Sequence, residues 1–223
     1  MRLVLASRNE NKLRELSGLM APYVLLPLPA DVVLPPETGT TFAENALIKA
    51  RVAASATGHP AIADDSGIEA RALRGAPGVW SARYAGEGAS DEENLAKLLD
   101  AVPEDGDRRV AYVCALAYVE PGGREELVHG RCEGVLAPEP RGRGGFGYDP
   151  AFVPDDYADG RTMAELTPAE KDAVSHRGRA ARALVRRLRD VEHESRPPSL
   201  LGVARRRGGE HARRAGRRRG SRG

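Results

Sequence analysis

Apolar positions recur along the chain at two spacings, and each spacing predicts a kind of element. Residues 2–6 (RLVLA) form a short apolar run that reads as a buried strand. Within 10–20, Leu13, Leu16 and Met20 fall at helical spacing. Residues 23–28 (YVLLPL) read as a second strand, followed by a Pro-rich loop to Thr40. The stretch 42–57 predicts a strong helix closed by Gly58. The apolar triplet 61–63 predicts a short strand ending at Asp64-Asp65-Ser66-Gly67, with 68–73 as a further strand. A Gly-, Ala- and Pro-rich loop covers 74–89, and a helix covers 91–101. Residues 109–119 and 125–136 read as a hairpin across Pro121-Gly122-Gly123. A Gly/Arg loop, 139–147, leads to Tyr148-Asp149-Pro150 and a strand over 151–153. The last helix starts near Thr167 and runs to about 190; Thr167-Pro168-Ala169-Glu170 spells a capping box with Pro at the first helical position. Strands and helices alternate early and a hairpin comes late. That order predicts an α/β fold with a mixed central sheet flanked by helices.

Charge divides the chain in two. Lys and Arg number 34 and Asp and Glu 32, a net of +2 over 223 residues. Residues 196–223 hold ten of the Arg and only one acid, Glu210, which leaves 24 bases against 31 acids in 1–195. An acidic body of −7 therefore carries a basic tail of +9. About 190 residues suffice for a buried core, so 1–195 is expected to be the folded unit. Pro197-Pro198 and the Arg/Gly runs after it predict a disordered tail. Clustered Arg neutralises phosphates, so the tail offers non-specific nucleic-acid contact, but it lacks the aromatics that stack on bases. No apolar run approaches the roughly 20 residues that span a bilayer, and the N-terminal one is too short for a signal peptide. Cys114 and Cys132 fit no CxxC pattern. The expectation is a reduced, cytoplasmic protein.

Five constellations carry chemistry. Ser7-Arg8-Asn9-Glu10-Asn11-Lys12 lies between the first strand and helix, where free N–H groups and the helix dipole suit phosphate. The same residues also spell a Ser-x-x-Glu capping box. Thr41-Phe42-Ala43-Glu44-Asn45 is a second such box, with Glu44 either a cap or a ligand for a hard cation. Asp64-Asp65-Ser66-Gly67 places two carboxylates at the end of an apolar strand, where α/β sheets bind ligands, or else forms an Asx-type turn. Strand alternation lets the two Asp point opposite ways. Phe146-Gly147-Tyr148-Asp149-Pro150 puts two aromatics and a carboxylate on a Gly-rich loop, able to stack on a base or to form a packed corner. Finally, Lys171 precedes Ser175-His176-Arg177. In one straight helix 171 and 176 lie about 140° apart and 171 and 177 about 240°. Either the helix breaks near 174–175 with Ser175 as a cap, or these residues serve different contacts. Only four of the bases are Lys (Lys12, Lys49, Lys97 and Lys171), so each is conspicuous in an Arg-rich chain.

A phosphate-binding turn, two carboxylate sites, an aromatic loop and a cationic cluster together describe a nucleotide polyphosphate site. Six segments, in order over about 1–189, resemble the inosine triphosphate pyrophosphatases, also called XTP/dITP diphosphatases. They are SRNENK, ETGTTFAENALIKA, AIADDSGIEA, GAPGVWSARYAG, GFGYDPAFVP and MAELTPAEKDAVSHRGRA. The resemblance implies two lobes with a cleft between them, a homodimer, and Mg²⁺-dependent hydrolysis of non-standard purine triphosphates (ITP, dITP, XTP) to the monophosphate and pyrophosphate. It implies that Ser7, Arg8, Asn9, Glu10, Asn11 and Lys12 hold the phosphates. It makes Asp65 the catalytic acceptor and a metal ligand, assisted by Glu44 and Asp64, with Ser66 on the substrate. Phe146, Gly147, Tyr148, Asp149, Lys171, His176 and Arg177 then enclose base and sugar. Asp172 departs from the family, which often has Asn there.

Overall fold

A computed structural model describes residues 1–194; the expected tail, 196–223, lies outside the described residues. The elements, in order, are β1 (Arg2–Leu5), α1 (Glu10–Leu19), β2 (Val24–Pro27), α2 (Phe42–Thr57), β3 (Ala61–Ala70), α3 (Asp91–Ala101), β4 (Arg109–Val119), β5 (Glu125–Leu136), β6 (Phe152–Pro154), α4 (Pro168–Val174) and α5 (His176–Glu194). They build one mixed six-stranded sheet in the order β2-β1-β3-β4-β5-β6. β1 runs parallel to β2 and β3, and every later pairing is antiparallel. This is the α/β, mixed-sheet fold that the alternation of elements predicts.

Strand alternation sorts the core onto two faces. Leu3, Leu5, Ile62, Leu116 and Tyr118 pack with Leu16 and Met20 at α1 and with Leu184 and Leu188 on α5. Val4, Ala6, Ala61, Ala63, Ala115 and Ala117 face α2. That helix presents Ala46, Ala50, Ala53 and Ala54, all buried, so its backbone lies close to the sheet. A third cluster, with Ile68, Leu98, Tyr112, Leu136 and Phe152, fills the end of the sheet beneath α3. No helix among the described residues is long and apolar enough to cross a membrane.

The structure corrects two elements. Residues 61–70 form a single strand, paired residue by residue with β4 through Asp64 and Asp65. The polar run is therefore strand interior and neither a strand end nor an Asx turn. The C-terminal helix is two helices, α4 and α5, separated at Ser175, whose extended backbone ends α4. Its Oγ accepts from Gly178 N at 3.0 Å and so starts the next turn. The break is the one that the Lys171/His176 spacing allows for.

Candidate active site

Because successive strand residues face opposite ways, β3 delivers its two carboxylates to different partners. Asp65 faces α2. Its Oδ1 accepts from Lys49 Nζ at 3.0 Å and its Oδ2 from Asn45 Nδ2 at 3.1 Å. Lys49 Nζ also donates to Glu37 Oε1 at 2.6 Å and to the carbonyl of Asp64 at 3.0 Å. Burial, and then the neighbouring Glu37 carboxylate, raise Asp65 above the usual carboxylate range despite Lys49. Glu37 is held low: burial opposes its ionisation, but Lys49 and Lys12 outweigh it. The pair thus divides the work, with Glu37 ionised and Asp65 the better proton acceptor.

Asp64 faces the other way, into a cationic cluster. Lys12 Nζ stands 3.1 Å from Oδ1. Arg177 Nε and Nη2 donate to Oδ2 at 3.2 and 3.1 Å, and Ser66 Oγ donates to the same oxygen at 3.0 Å. The carboxyl has no exposed surface. Burial alone would raise its pKa, but Lys12, Arg177 and Lys49 together hold it far below the usual range. Glu15, from α1, accepts from Lys171 Nζ at 2.7 Å and from Arg177 Nη1. Lys171 also donates to Asp149 Oδ2 at 2.6 Å.

The aromatic loop is tied down by the same groups. Asp149 Oδ2 accepts from Phe146 N at 2.9 Å, and its Oδ1 accepts from the Tyr112 hydroxyl at 3.1 Å. Gly145 and Gly147 adopt φ of 72° and 64°, left-handed backbone that suits glycine. Gly147 N donates to Asp91 Oδ2 at 2.7 Å, and Tyr148 Oη to the carbonyl of Ser81 at 2.7 Å. The Phe146 ring lies beneath two cations, Lys171 Nζ at 5.1 Å and the Arg177 guanidinium at 5.5 Å. His176 is buried and neutral: burial, then Arg177 and Lys171, push it well below the usual histidine range.

Many of these groups line one cleft of about 150 Å³, which Asp64, Glu15, Asn45 and Lys49 do not line. Of the residues singled out from sequence, Asn9, Lys12, Asp65, Ser66, Phe146, Gly147, Tyr148, Asp149, Lys171, His176 and Arg177 meet there. Others have different work. Arg8 turns away and donates to the carbonyls of Leu28, Pro29, Ala30 and Val32, clamping the loop after β2. The helix is capped by Asn9, whose side chain accepts from Asn11 N and Lys12 N, so the Ser7–Glu10 box does not form. Ser7 Oγ accepts from Asn9 N, Asn11 Oδ1 accepts from Arg14, and Glu10 sits in the exposed first turn. Glu44 is a cap: its Oε2 accepts from Thr40 N, Thr40 Oγ1 and Thr41 N on the outer surface. Asp172 does not line the cleft; burial and Glu15 raise its pKa.

Sequence reasoning passed over the roles of Glu37, Asn45, Lys49, Glu15 and Tyr112. Asn45 and Lys49 left a signal, as two polar residues one turn apart on the otherwise apolar buried face of α2. Glu37 left none, because a loop carboxylate has no periodicity to betray it.

A model of the Ham1 family matches residues 3–187. The chain belongs to the Ham1 family. Among Ham1 relatives, the dITP/XTP pyrophosphatase of Frankia alni is 55% identical over 205 residues, covering 86% of this chain and 98% of the relative. That of Streptomyces coelicolor is 47% identical over 198 residues, covering 85% and 98%. The solved Ham1 protein of Coxiella burnetii superposes with a TM-score of 0.77 at 45% identity, covering 85% of this chain and 99% of that one. A solved nucleoside-triphosphatase, dITP/XTP pyrophosphatase, of Mycobacterium abscessus superposes at 0.67 with 48% identity, covering 82% and 98%. The match thus extends along nearly the whole length of these relatives.

Proposed function

We infer that this chain is a dITP/XTP pyrophosphatase that hydrolyses non-standard purine triphosphates, ITP included, with Mg²⁺. The observation that carries the reading is the joining, in one cleft, of a proton-accepting Asp65, a cation at a helix N-terminus (Lys12) and an aromatic-cationic wall (Phe146, His176, Arg177).

In this reading the triphosphate lies along Asn9 and Lys12. A water attacks the α-phosphorus, its proton passes to Asp65, and the bond from that phosphorus to the bridging oxygen breaks. Monophosphate and pyrophosphate leave. A raised pKa makes Asp65 a stronger base than an ordinary Asp. Lys12 offsets charge on the departing pyrophosphate.

The carboxylates suit the proposed cation. No group of three or more acidic, His or Cys side chains able to hold a metal occurs among the described residues. Mg²⁺ is commonly held by one or two carboxylates together with substrate phosphates. Asp65 and Glu37, two carboxyls in contact around Lys49, fit that description, whereas Glu44 is spent on its cap. Bound there, the ion would lower the pKa of the attacking water.

Base selection follows from Arg177. Its guanidinium has five N–H donors, and hydrogen bonds to Asp64, Ser66 and Glu15 engage four of them. One donor remains for a carbonyl at the purine 6-position, and it opposes the 6-amine of adenine. A homodimer, whose mass light scattering reads directly, is part of the same proposal.

Pyrophosphate release from XTP, dITP, ITP, GTP and ATP, with and without Mg²⁺, is the test. The reading expects XTP, dITP and ITP to dominate and Asp65→Asn to lose most turnover while staying folded. Near-normal release by that variant would overturn the role of Asp65, and release from none of the five would overturn the function.

A further inference from the structure

Tyr112 comes from β4, remote in sequence from every motif of the cleft, yet its side chain touches two of them. The ring stacks on the His176 imidazole, with centroids 4.5 Å apart and planes 12° from parallel. Its other side stacks on Phe152 at 4.4 Å and 28°. The hydroxyl donates to Asp149 Oδ1, on the carboxylate that also holds Lys171 and the Phe146 amide. Burial and the adjacent Asp149 push the phenol well above its usual range, so it remains a donor at any working pH.

His176 needs such a partner. Its Nδ1 is buried and has no hydrogen bond, so nothing on that side of the ring fixes its rotation. The imidazole is also neutral, surrounded by Arg177, Lys171, Asp64 and Lys12, so no ion pair aims it. Stacking on Tyr112, which is itself backed by Phe152, is what sets its plane. Aromatic pairs contribute about 0.5–1.5 kcal/mol beyond the area they bury, enough to favour one orientation.

We propose that Tyr112 is a positioning residue for substrate discrimination: its ring fixes the plane of His176, and its hydroxyl fixes Asp149 and through it Lys171. The ring and the hydroxyl then have separable effects. The ring governs which base is accepted, and the hydroxyl governs how tightly any nucleotide is held. This rests on the reading of the cleft as a nucleotide site.

The experiment measures kcat and KM for XTP, dITP, GTP and ATP on the full chain and on Tyr112→Phe and Tyr112→Leu. Tyr112→Phe keeps the stack, so the preference for XTP over GTP persists while KM rises about tenfold for all four, the value of one hydrogen bond to a charged group. Tyr112→Leu loses about tenfold of that preference, the value of one stacked pair. A preference unchanged in Tyr112→Leu, or an equal fall in kcat for all four nucleotides, overturns the proposal. If the unaltered chain releases pyrophosphate from none of them, it is the enzymatic reading that fails. His176 then decides by NMR: its imidazole resonances shift in Tyr112→Leu but not in Tyr112→Phe. Unmoved resonances overturn the positioning role.

Discussion

Arg177 and Asp64 lie 113 residues apart and form a buried ion pair, with Nε and Nη2 of the arginine at 3.2 and 3.1 Å from one carboxylate oxygen. Lys12 approaches the other oxygen. One carboxylate thus organises two cations of the cleft, Lys12 at the proposed phosphate end and Arg177 at the proposed base end. Removing its charge strands Lys12 and leaves Arg177 with Glu15 alone as counter-ion. Breaking a buried pair by removing one partner costs about 3–5 kcal/mol. Asp64→Asn is therefore expected to lose stability of that order in urea unfolding and to raise KM for every nucleotide. A variant as stable as the unaltered chain would show that Asp64 is not the organising counter-ion.

Glu37 and Glu44 separate the proposed metal ligand from a cap. Glu44 spends its carboxylate on the first turn of α2, whereas Glu37 shares Lys49 with Asp65. Activity titrated with Mg²⁺ should shift its midpoint by about 10–100-fold in Glu37→Gln, the usual scale for groups that support a metal site. Glu44→Gln should leave that midpoint in place. The reverse result would restore Glu44 as the metal residue.

Gly130 sets how closely α5 approaches the sheet. A Cβ there would collide with the backbone carbonyl of His176 and the amide of Ala180, neither of which can swing aside. Gly130→Ala must push the start of α5 outward, and such overpacking costs about 1–3 kcal/mol. His176 and Arg177 move with it, so activity should fall more than stability. Gly122→Ala, with nothing near its Cβ, is the control. Equal behaviour of the two variants in melting and turnover would refute this.

His176 gives the fold a pH dependence of known sign. The folded protein keeps the imidazole neutral, while the unfolded chain binds a proton below about pH 6.5. The unfolded state then holds more protons, so stability falls as pH drops from about 6.5, by at most about 1.4 kcal/mol per unit. Asp64 and Glu15 behave differently. Cations hold both low against burial, so their contribution is complete above about pH 5 and is lost as the pH falls below it. Urea unfolding between about pH 7 and 5 should therefore show a slope that His176→Phe removes. The same slope in both proteins would reject the assignment.

The sequence by itself determined most of the elements and marked eleven of the residues that line the cleft. Helical spacing and its caps locate α2 and α3, and the run of apolar residues locates β4 and β5. Short-range physics suffices there, because caps, turns and periodicity act within one or two turns of chain. Local chemistry also marks Lys12, Asp65, Phe146 and the Ser175 break. Asp64-Asp65 reads as a strand end in the sequence because two carboxylates are costly inside a strand without cations. Those cations come from Lys12, Lys49 and Arg177, which only the tertiary structure brings to β3. Only folding, likewise, decided that Arg8 clamps a loop, that Glu44 caps while Glu37 meets Asp65, and that Tyr112 lies on His176. Charge pairing and ring stacking act over a few ångströms of space, whatever the distance along the chain. A linear pattern can therefore name the residues of a site without saying which of them touch.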